Sequence, residues 1–270
     1  MSCFVARPMN LLSGYIAQYW YWKLSPTRIL PDIFQGTGVE LLFNLGDPII
    51  ICRPEKRILN TGQAIVICPR KTMFRAKSTG VSQLFSVRFR STGFFRIFGL
   101  PLTHVADDIV DVANIIPNTM IEKITDTLMF SDIVLILENW MLKKIDSSRL
   151  NTDGSMSHLI DEIYYQKYKG NISNIYKEID ISERTFQRKF KIYTGTDAKS
   201  FEKNAIFQLS LKEALSNPTL NYTNIALEKG YYDQSHYIKH FKKLTGLTPG
   251  KYFNELNYEL NHYSNSIYPL

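Results

Sequence analysis

Two short runs hold side chains that could hydrogen-bond to nucleic-acid bases. The first contains Arg184, Gln187 and Arg188, and the second Gln234, Ser235, Ile238 and Lys239. Arginine pairs with guanine O6 and N7, glutamine with adenine N6 and N7, and isoleucine offers an apolar contact to a thymine methyl. Lys191, Lys242 and Lys243 lie just beyond these runs. Lysines there suit phosphate oxygens, which fix position and carry no sequence information. A solvated face is the competing role for each lysine, and a salt bridge within the domain is the competing role for Arg188.

Such residues read bases only if helices present them. Asp233 can cap a helix with Tyr237, Phe241 and Leu244 on one face, which leaves the polar run on the other. Before it, Asn221 can cap a helix that buries Tyr222, Ile225 and Ala226, and Gly230 supplies the positive φ of a tight turn. Gly246 stops the second helix, and Thr248-Pro249 can start another. Asn171 opens the same design earlier, with Ile172, Ile175, Tyr176 and Ile179 inward, Asp180 at the turn, and Ser182 capping a helix with Phe186 and Phe190 inward. Phe201 to Ser216, with Ala205, Leu209 and Leu215, joins the two units. Helix, short turn and polar-faced helix make a helix-turn-helix, whose second helix fits a major groove. Amphipathic helix pairs joined by glycine are common in all-α proteins, so this spacing alone decides little.

The detailed string decides more. Ile225 to Pro249, IALEKGYYDQSHYIKHFKKLTGLTP, resembles the signature of the AraC/XylS family of bacterial transcription regulators. The resemblance implies two helix-turn-helix units joined by one helix, base contacts at the positions named above, and a β-barrel sensor domain placed first. The chain departs from the family pattern at Tyr176 (usually Ala), Asp180 (usually Gly), Ala198 (often Pro) and Ile206 (usually Arg). These departures bear on the fine geometry of the first unit and do not touch the second, which matches closely.

The 270 residues allow two domains, and a hydrophobic content of 44% with 21% charged residues is that of a soluble globular chain. A formal charge of +7 is compatible with a polyanion partner. No long uncharged apolar run and no signal peptide are visible, so membrane association is not expected and the cytoplasm is the expected location. Cys3, Cys52 and Cys68 are sparse and odd in number, which points to reduced thiols and away from a disulfide frame or zinc centre. A cupin-like oxygenase needs converging histidine and carboxylate ligands, yet the first domain holds only His104. His158, His236, His240 and His262 belong to the helical part. His236 and His240 are spaced as a metal pair, but their helix makes a DNA-facing or packing role the expected one. With no phosphate loop or nucleophile elbow either, no enzyme, cofactor or metal is expected.

Residues 1 to about 106 carry strand patterns. These are Tyr15 to Leu24, a hairpin signal of Val39 to Leu45 and Ile49 to Ile51 around Gly46-Asp47-Pro48, Ala64 to Cys68, and an alternating Gln83 to Arg90. Glu40, Asn44, Arg88 and the pair Trp20 and Trp22 are polar or aromatic candidates on these strands, with a core or surface role expected first and no ligand-binding residue assigned. Pro117 to Phe130, with Met120, Ile124 and Leu128 spaced by four, and Ile133 to Ile145 read as helices. Ile133, Leu137, Trp140 and Met141 are assigned to a homodimer surface, the alternative being a cover for the barrel.

The expected fold is α+β with two domains: a small cupin-like β-barrel with helices, then an all-α domain of two helix-turn-helix units joined by a helix. Its parts are 1–145 (helices from about 107), a linker at 146–157, and 158–270 with a C-terminal tail. The expected function is a sequence-specific DNA-binding transcription regulator, an activator, controlled by a small-molecule or protein effector at the first domain. RNA polymerase and a second copy are the other expected partners. The alternative is an effector-independent architectural or repressor protein, distinguished by whether transcription depends on an effector.

Overall fold

A computed structural model describes residues 2–26, 30, 36–52, 56–70, 75–106, 108–112, 115–147, 154–167, 172–216 and 221–255. Asn171, His262, the middle of the assigned linker (148–153), the tail beyond 255 and the side chain of Leu215 lie outside the described residues.

The first half is built of strands β1 (Ser2–Ala6), β2 (Ile16–Leu24), β3 (Glu40–Asn44), β4 (Ile49–Cys52), β5 (Lys56–Leu59), β6 (Ala64–Ile67), β7 (Arg75–Ser78), β8 (Ser82–Phe89) and β9 (Ile109–Asp111). Six form one antiparallel sheet in the order β1-β2-β8-β3-β6-β9, and β5-β4-β7 form a second. The large sheet is buried on both faces. Trp20, Trp22, Leu42, Ile65, Ile67 and Leu84 point toward Ile49, Ile51 and Leu59 of the small sheet and form the barrel interior. Tyr19, Leu41, Phe43, Val66, Phe85, Val87 and Phe89 point the other way, under a cover of helices. A strand buried on both sides needs both of its alternating sets covered, which explains why Ser86 lies fully buried beside the apolar run.

Two strand expectations need correction. Val39 to Leu45 and Ile49 to Ile51 do not form a hairpin: β3 pairs with β6 and β8, and β4 pairs with β5 and β7. The turn between them carries the chain from one sheet to the other. Asp47 N–H donates to Val81 O and Asp47 Oδ2 accepts from Val81 N–H, so the turn is tied to the start of β8. A Cβ on Gly46 would stand 2.4 Å from Val81 O, so this close crossing needs glycine. Strand structure also runs past residue 106, because β9 adds to the edge of the large sheet through Ile65, Val66 and Ile67.

Helices α1 (Gly93–Phe98), α2 (Asn118–Thr125) and α3 (Phe130–Ser147) cover the large sheet. The stripe assigned to dimerisation is largely this cover. Ile133, Leu137 and Met141 are buried in the core beneath α3, and Trp140 is half-buried against Phe98. The apolar spacing is as expected, but its partner is the protein's own sheet. Leu128, spaced by four from Ile124, is 91% exposed, since α2 ends at Thr125 and does not carry the spacing that far.

The second half is helical: α4 (Gly154–Tyr164), a 3-10 helix at Ile172–Ile179, α5 (Glu183–Thr194), α6 (Ala198–Ser216), α7 (Tyr222–Glu228), α8 (Gln234–Thr245) and α9 (Pro249–Glu255). Helical structure thus enters both ends of the stretch assigned as linker. Two cores organise this half. Met156, Leu159, Ile160, Ile175, Phe186 and Phe190 form one, and Phe207, Ile225, Tyr237, Phe241, Tyr252 and Phe253 form the other. The architecture is the expected α+β one, a β-domain of two antiparallel sheets with covering helices followed by an all-α domain.

Candidate nucleic-acid interface

The second helices of the two units share one sequence register, and each begins with a cap. Ser182 Oγ accepts from Thr185 N–H at the start of α5, and Asp233 Oδ1 accepts from His236 N–H at the start of α8. Four residues after each cap comes a buried aromatic, Phe186 or Tyr237, and eight after it another, Phe190 or Phe241. Each helix closes on a Thr-Gly pair. Thr194 Oγ1 donates to Phe190 O at 2.8 Å, and Thr245 Oγ1 to Phe241 O at 2.9 Å. Gly195 and Gly246 follow with φ of 74° and 78°. The repeat continues into the next helix, where Phe201 packs edge-on against Phe190 and Tyr252 against Phe241. Gly246 is the stop expected from the sequence; Gly195 is its counterpart in the first unit, and the threonine of each pair adds a hydrogen bond that the sequence reading lacks.

That register puts equivalent side chains on equivalent outer faces. Arg184 corresponds to Ser235, Gln187 to Ile238, Arg188 to Lys239, and Lys191 to Lys242. Arg184, Arg188, Ser235 and Lys239 are exposed, and Gln187 and Gln234 are partly so. Ile238 is half-buried against the second core, so the side chain assigned to a thymine methyl also packs inward. Lys191, Lys242 and Lys243 are exposed in the last turns of their helices, where the helix dipole favours cations. The structure thus brings every assigned base- and phosphate-facing residue onto one of two recognition helices, α5 or α8.

The turns differ. In the second unit α7 leads through Gly230, φ 76°, to the cap. In the first unit the leading helix is 3-10, not α, and Asp180 holds the turn at φ 47°. Of its expected inward residues Ile175 is buried, while Ile172, Tyr176 and Ile179 are half-buried.

His236 and His240 are turned to one tyrosine. Tyr231 Oη lies 2.9 Å from His240 Nδ1, and the His236 ring meets Tyr231 edge-on at 5.4 Å. Burial pushes the Tyr231 phenol up to about 12. Burial also holds His240 below the ordinary imidazole range, helped by His236, Lys243 and Lys203. Among the described residues no group of three or more His, Cys, Asp or Glu is placed to hold a metal ion.

The barrel domain touches the first unit directly. The 3-10 turn Leu102–His104 packs against α5, and the Phe95 ring lies 4.6 Å from that of Tyr193. Arg90 Nη1 donates to Tyr165 Oη at 2.7 Å, and Thr37 Oγ1 donates to Gln208 Oε1 on α6 at 2.9 Å. Inside the barrel, Glu40 Oε1 accepts from both Trp20 Nε1 and Ser86 Oγ, and the Trp20 and Trp22 rings stand 4.4 Å apart. Asn44 Nδ2 donates to Asp47 O and Leu59 O, a structural tie between the sheets.

Residues 175–255 match a family model described as a helix-turn-helix domain, and residues 5–111 match a domain of unknown function, DUF6597. No curated protein matches the sequence. Among solved structures, ToxT from Vibrio cholerae is 11% identical, covers 95% of this chain and all of its own, and gives a TM-score of 0.54. ToxT from Vibrio cholerae O395 is 12% identical, with 88% and 96% covered and a TM-score of 0.53. A further structure of the O395 protein, bound to (E)-4-(8-methylnaphthalen-1-yl)but-3-enoic acid, is 12% identical over 95% of this chain and 100% of its own, with a TM-score of 0.51. Paired capped helices with basic outer faces, in a domain of this type, define a DNA-binding transcription regulator. More particularly, residues 175–255 carry a helix-turn-helix domain, the fold is shared with ToxT, and the second unit resembles the AraC/XylS signature.

Proposed function

We propose that the protein is a sequence-specific transcription activator that reads two adjacent major-groove segments through α5 and α8, under the control of an effector acting at the barrel domain. One observation carries the reading: two recognition helices share cap, core and stop positions, and so present equivalent outer faces at a separation set by α6. Base readout is assigned to Arg184, Gln187, Arg188, Gln234, Ser235, Ile238 and Lys239, and phosphate contact to Lys191, Lys242 and Lys243. Two helices reading one face of DNA sit about one turn apart, roughly 34 Å or 10 to 10.5 base pairs.

Effector control is supported by contacts that run from the barrel to both the first unit and α6, through Phe95, Leu102–His104, Arg90 and Thr37. A solved ToxT structure described as bound to an unsaturated fatty acid gives a precedent for a small molecule in this fold. RNA polymerase, in the cytoplasm, is the expected partner of an activator. Homodimerisation is assigned to the outer side of the α2–α3 region, where Leu128, Met129 and Leu135 are exposed, in place of the buried stripe.

Footprinting of the full chain with systematic base substitutions tests the reading. Two protected segments one turn apart are expected, with Lys242→Ala weakening all sequences alike and lowering the salt slope by about one. Protection confined to one segment leaves α8 as the only reader and overturns the two-segment proposal. Sedimentation of Leu128→Glu and Leu135→Glu tests the dimer: folded variants of unchanged mass rule that surface out.

A further inference from the structure

A cleft of about 300 Å³ lies between the two helix-turn-helix units, away from the barrel. Ile163, Ile172 and Ile206 give it an apolar lining, and Glu202 and Glu228 stand at its walls. Ile163 is on α4, Ile172 opens the first unit, Glu202 and Ile206 are on the connecting α6, and Glu228 ends α7 beside the Gly230 turn. A molecule seated there would touch both units and their connector at once.

The charge balance of the cleft is one-sided. Its one lining cation, Lys229, has its ammonium 3.6 Å from the Glu213 carboxylate on α6. Glu202 and Glu228 face the apolar lining without such a partner among the described residues. Burial lifts the Glu202 carboxyl above the ordinary range, against the pull of Lys203 and Lys199. A partly desolvated carboxylate beside isoleucines gains most from a cation that brings its own apolar body, since both halves of the site are then satisfied. A guanidinium or amidinium head matches carboxylate geometry better than a compact ion, and the volume is at the lower end of that for small-molecule pockets. A carboxylic acid would be repelled.

We propose that this cleft is an effector site, separate from the barrel, for a small organic cation with an apolar body, and that its occupancy biases the spacing of α5 and α8. The bias rests on the DNA-binding reading, whereas binding to the cleft does not. By linkage, a ligand that contacts both units changes DNA affinity by the same factor as DNA changes its own.

Calorimetric titration of the full chain with n-hexylguanidinium, with hexanoate as the control of equal length, tests the site without DNA. Saturable binding of the cation and none of the acid is expected. The double variant Glu202→Gln, Glu228→Gln should bind about tenfold more weakly, in line with the loss of charge-assisted hydrogen bonds, while keeping its circular dichroism and melting temperature. Should the double variant fail to fold, the exposed Glu228→Gln alone and the cleft-filling Ile206→Phe each serve, with weaker binding expected from both. Equal binding of hexanoate, binding indifferent to these variants, or no saturable binding overturns the site. Promoter DNA affinity should then shift by about threefold or more at saturating n-hexylguanidinium, and binding that leaves it unchanged overturns the effector role. A chain that binds hexylguanidinium but no DNA would contradict the regulator reading and not the site.

Discussion

The two helix-turn-helix units reach the same outer geometry by different internal means. The second is self-contained: Phe207, Tyr237, Phe241, Tyr252 and Phe253 pack on one another, and α7 is a regular helix ending in a glycine turn. The first begins with a 3-10 helix, turns through an aspartate at positive φ, and borrows Phe95 from the barrel domain to complete its core. A unit that finishes its own core keeps its shape whatever its neighbours do. A unit that borrows part of its core is open to influence from the lender. The comparison therefore teaches that the first domain is packed into the first unit's core, so that, on the reading proposed above, an effector would act on the first unit before the second.

The strongest test of that difference is in the cores. Phe241→Ala removes a fully buried ring that meets Phe207, Tyr237, Tyr252 and Phe253, and should cost about 3–5 kcal/mol by urea denaturation. Phe190→Ala should cost a similar amount in the full chain. In the isolated segment 154–255, however, the first unit has already lost Phe95. Amide exchange along α5 should then be faster than along α8, even without a substitution. Equal protection of the two helices in that segment would erase the distinction between borrowed and self-made cores.

Next in size are the base contacts. Arg188→Ala and Gln234→Ala should each cost about 1–3 kcal/mol of DNA affinity and relax sequence preference in different segments. The comparison sharpens if Arg188→Ala depends on effector state and Gln234→Ala does not, because the barrel packs on α5 itself and reaches the second unit only through α6. Binding measured across a set of single-base operator variants separates the two. An Arg188→Ala protein with unaltered sequence preference would reduce the first unit to phosphate contacts.

The asymmetry also marks what was legible in the sequence. Caps and stops are local: Ser182, Asn221 and Asp233 each accept from a backbone N–H two or three residues on, and Gly230 and Gly246 sit where positive φ is needed. Signals of that range depend little on tertiary context, so both capped helices were readable, as were the exposed positions of Arg184, Arg188, Ser235 and Lys239, whereas Ile238 also packs inward. The 3-10 form of Ile172–Ile179 was not, because apolar residues at i and i+3 fit that helix as well as an α-helix. The barrel was readable as strands but not as sheets. Alternation along Gln83 to Arg90 separates two faces, yet both are covered, and Ser86 turns out to be an interior partner of Glu40. The stripe of Ile133, Leu137 and Met141 was legible as apolar, while its partner, the protein's own large sheet, is a long-range fact that no spacing encodes.

The smallest expected effects fall at the two turns, where positive φ is held by Asp180, two residues before its cap, and by Gly230, three before its cap. Gly230 has φ 76° and nothing within 4 Å of where a Cβ would stand. Any penalty for a side chain there is therefore a backbone penalty, and Gly230→Ala should cost about 1–2 kcal/mol. Asp180 already holds the first unit's turn at φ 47° with a side chain in place. Asp180→Gly relieves that strain but frees the unfolded chain, and these two terms, each of about 1 kcal/mol, nearly cancel. The expected result is a stability within about 0.5 kcal/mol of the parent. Gly230→Asp should fall between the two, since aspartate tolerates the left-handed region better than alanine. Urea midpoints of the three variants decide the point. A loss at Asp180→Gly as large as that at Gly230→Ala would show that the Asp180 side chain, not its backbone, holds the first turn. The first unit's departure from glycine would then be a contact the fold depends on.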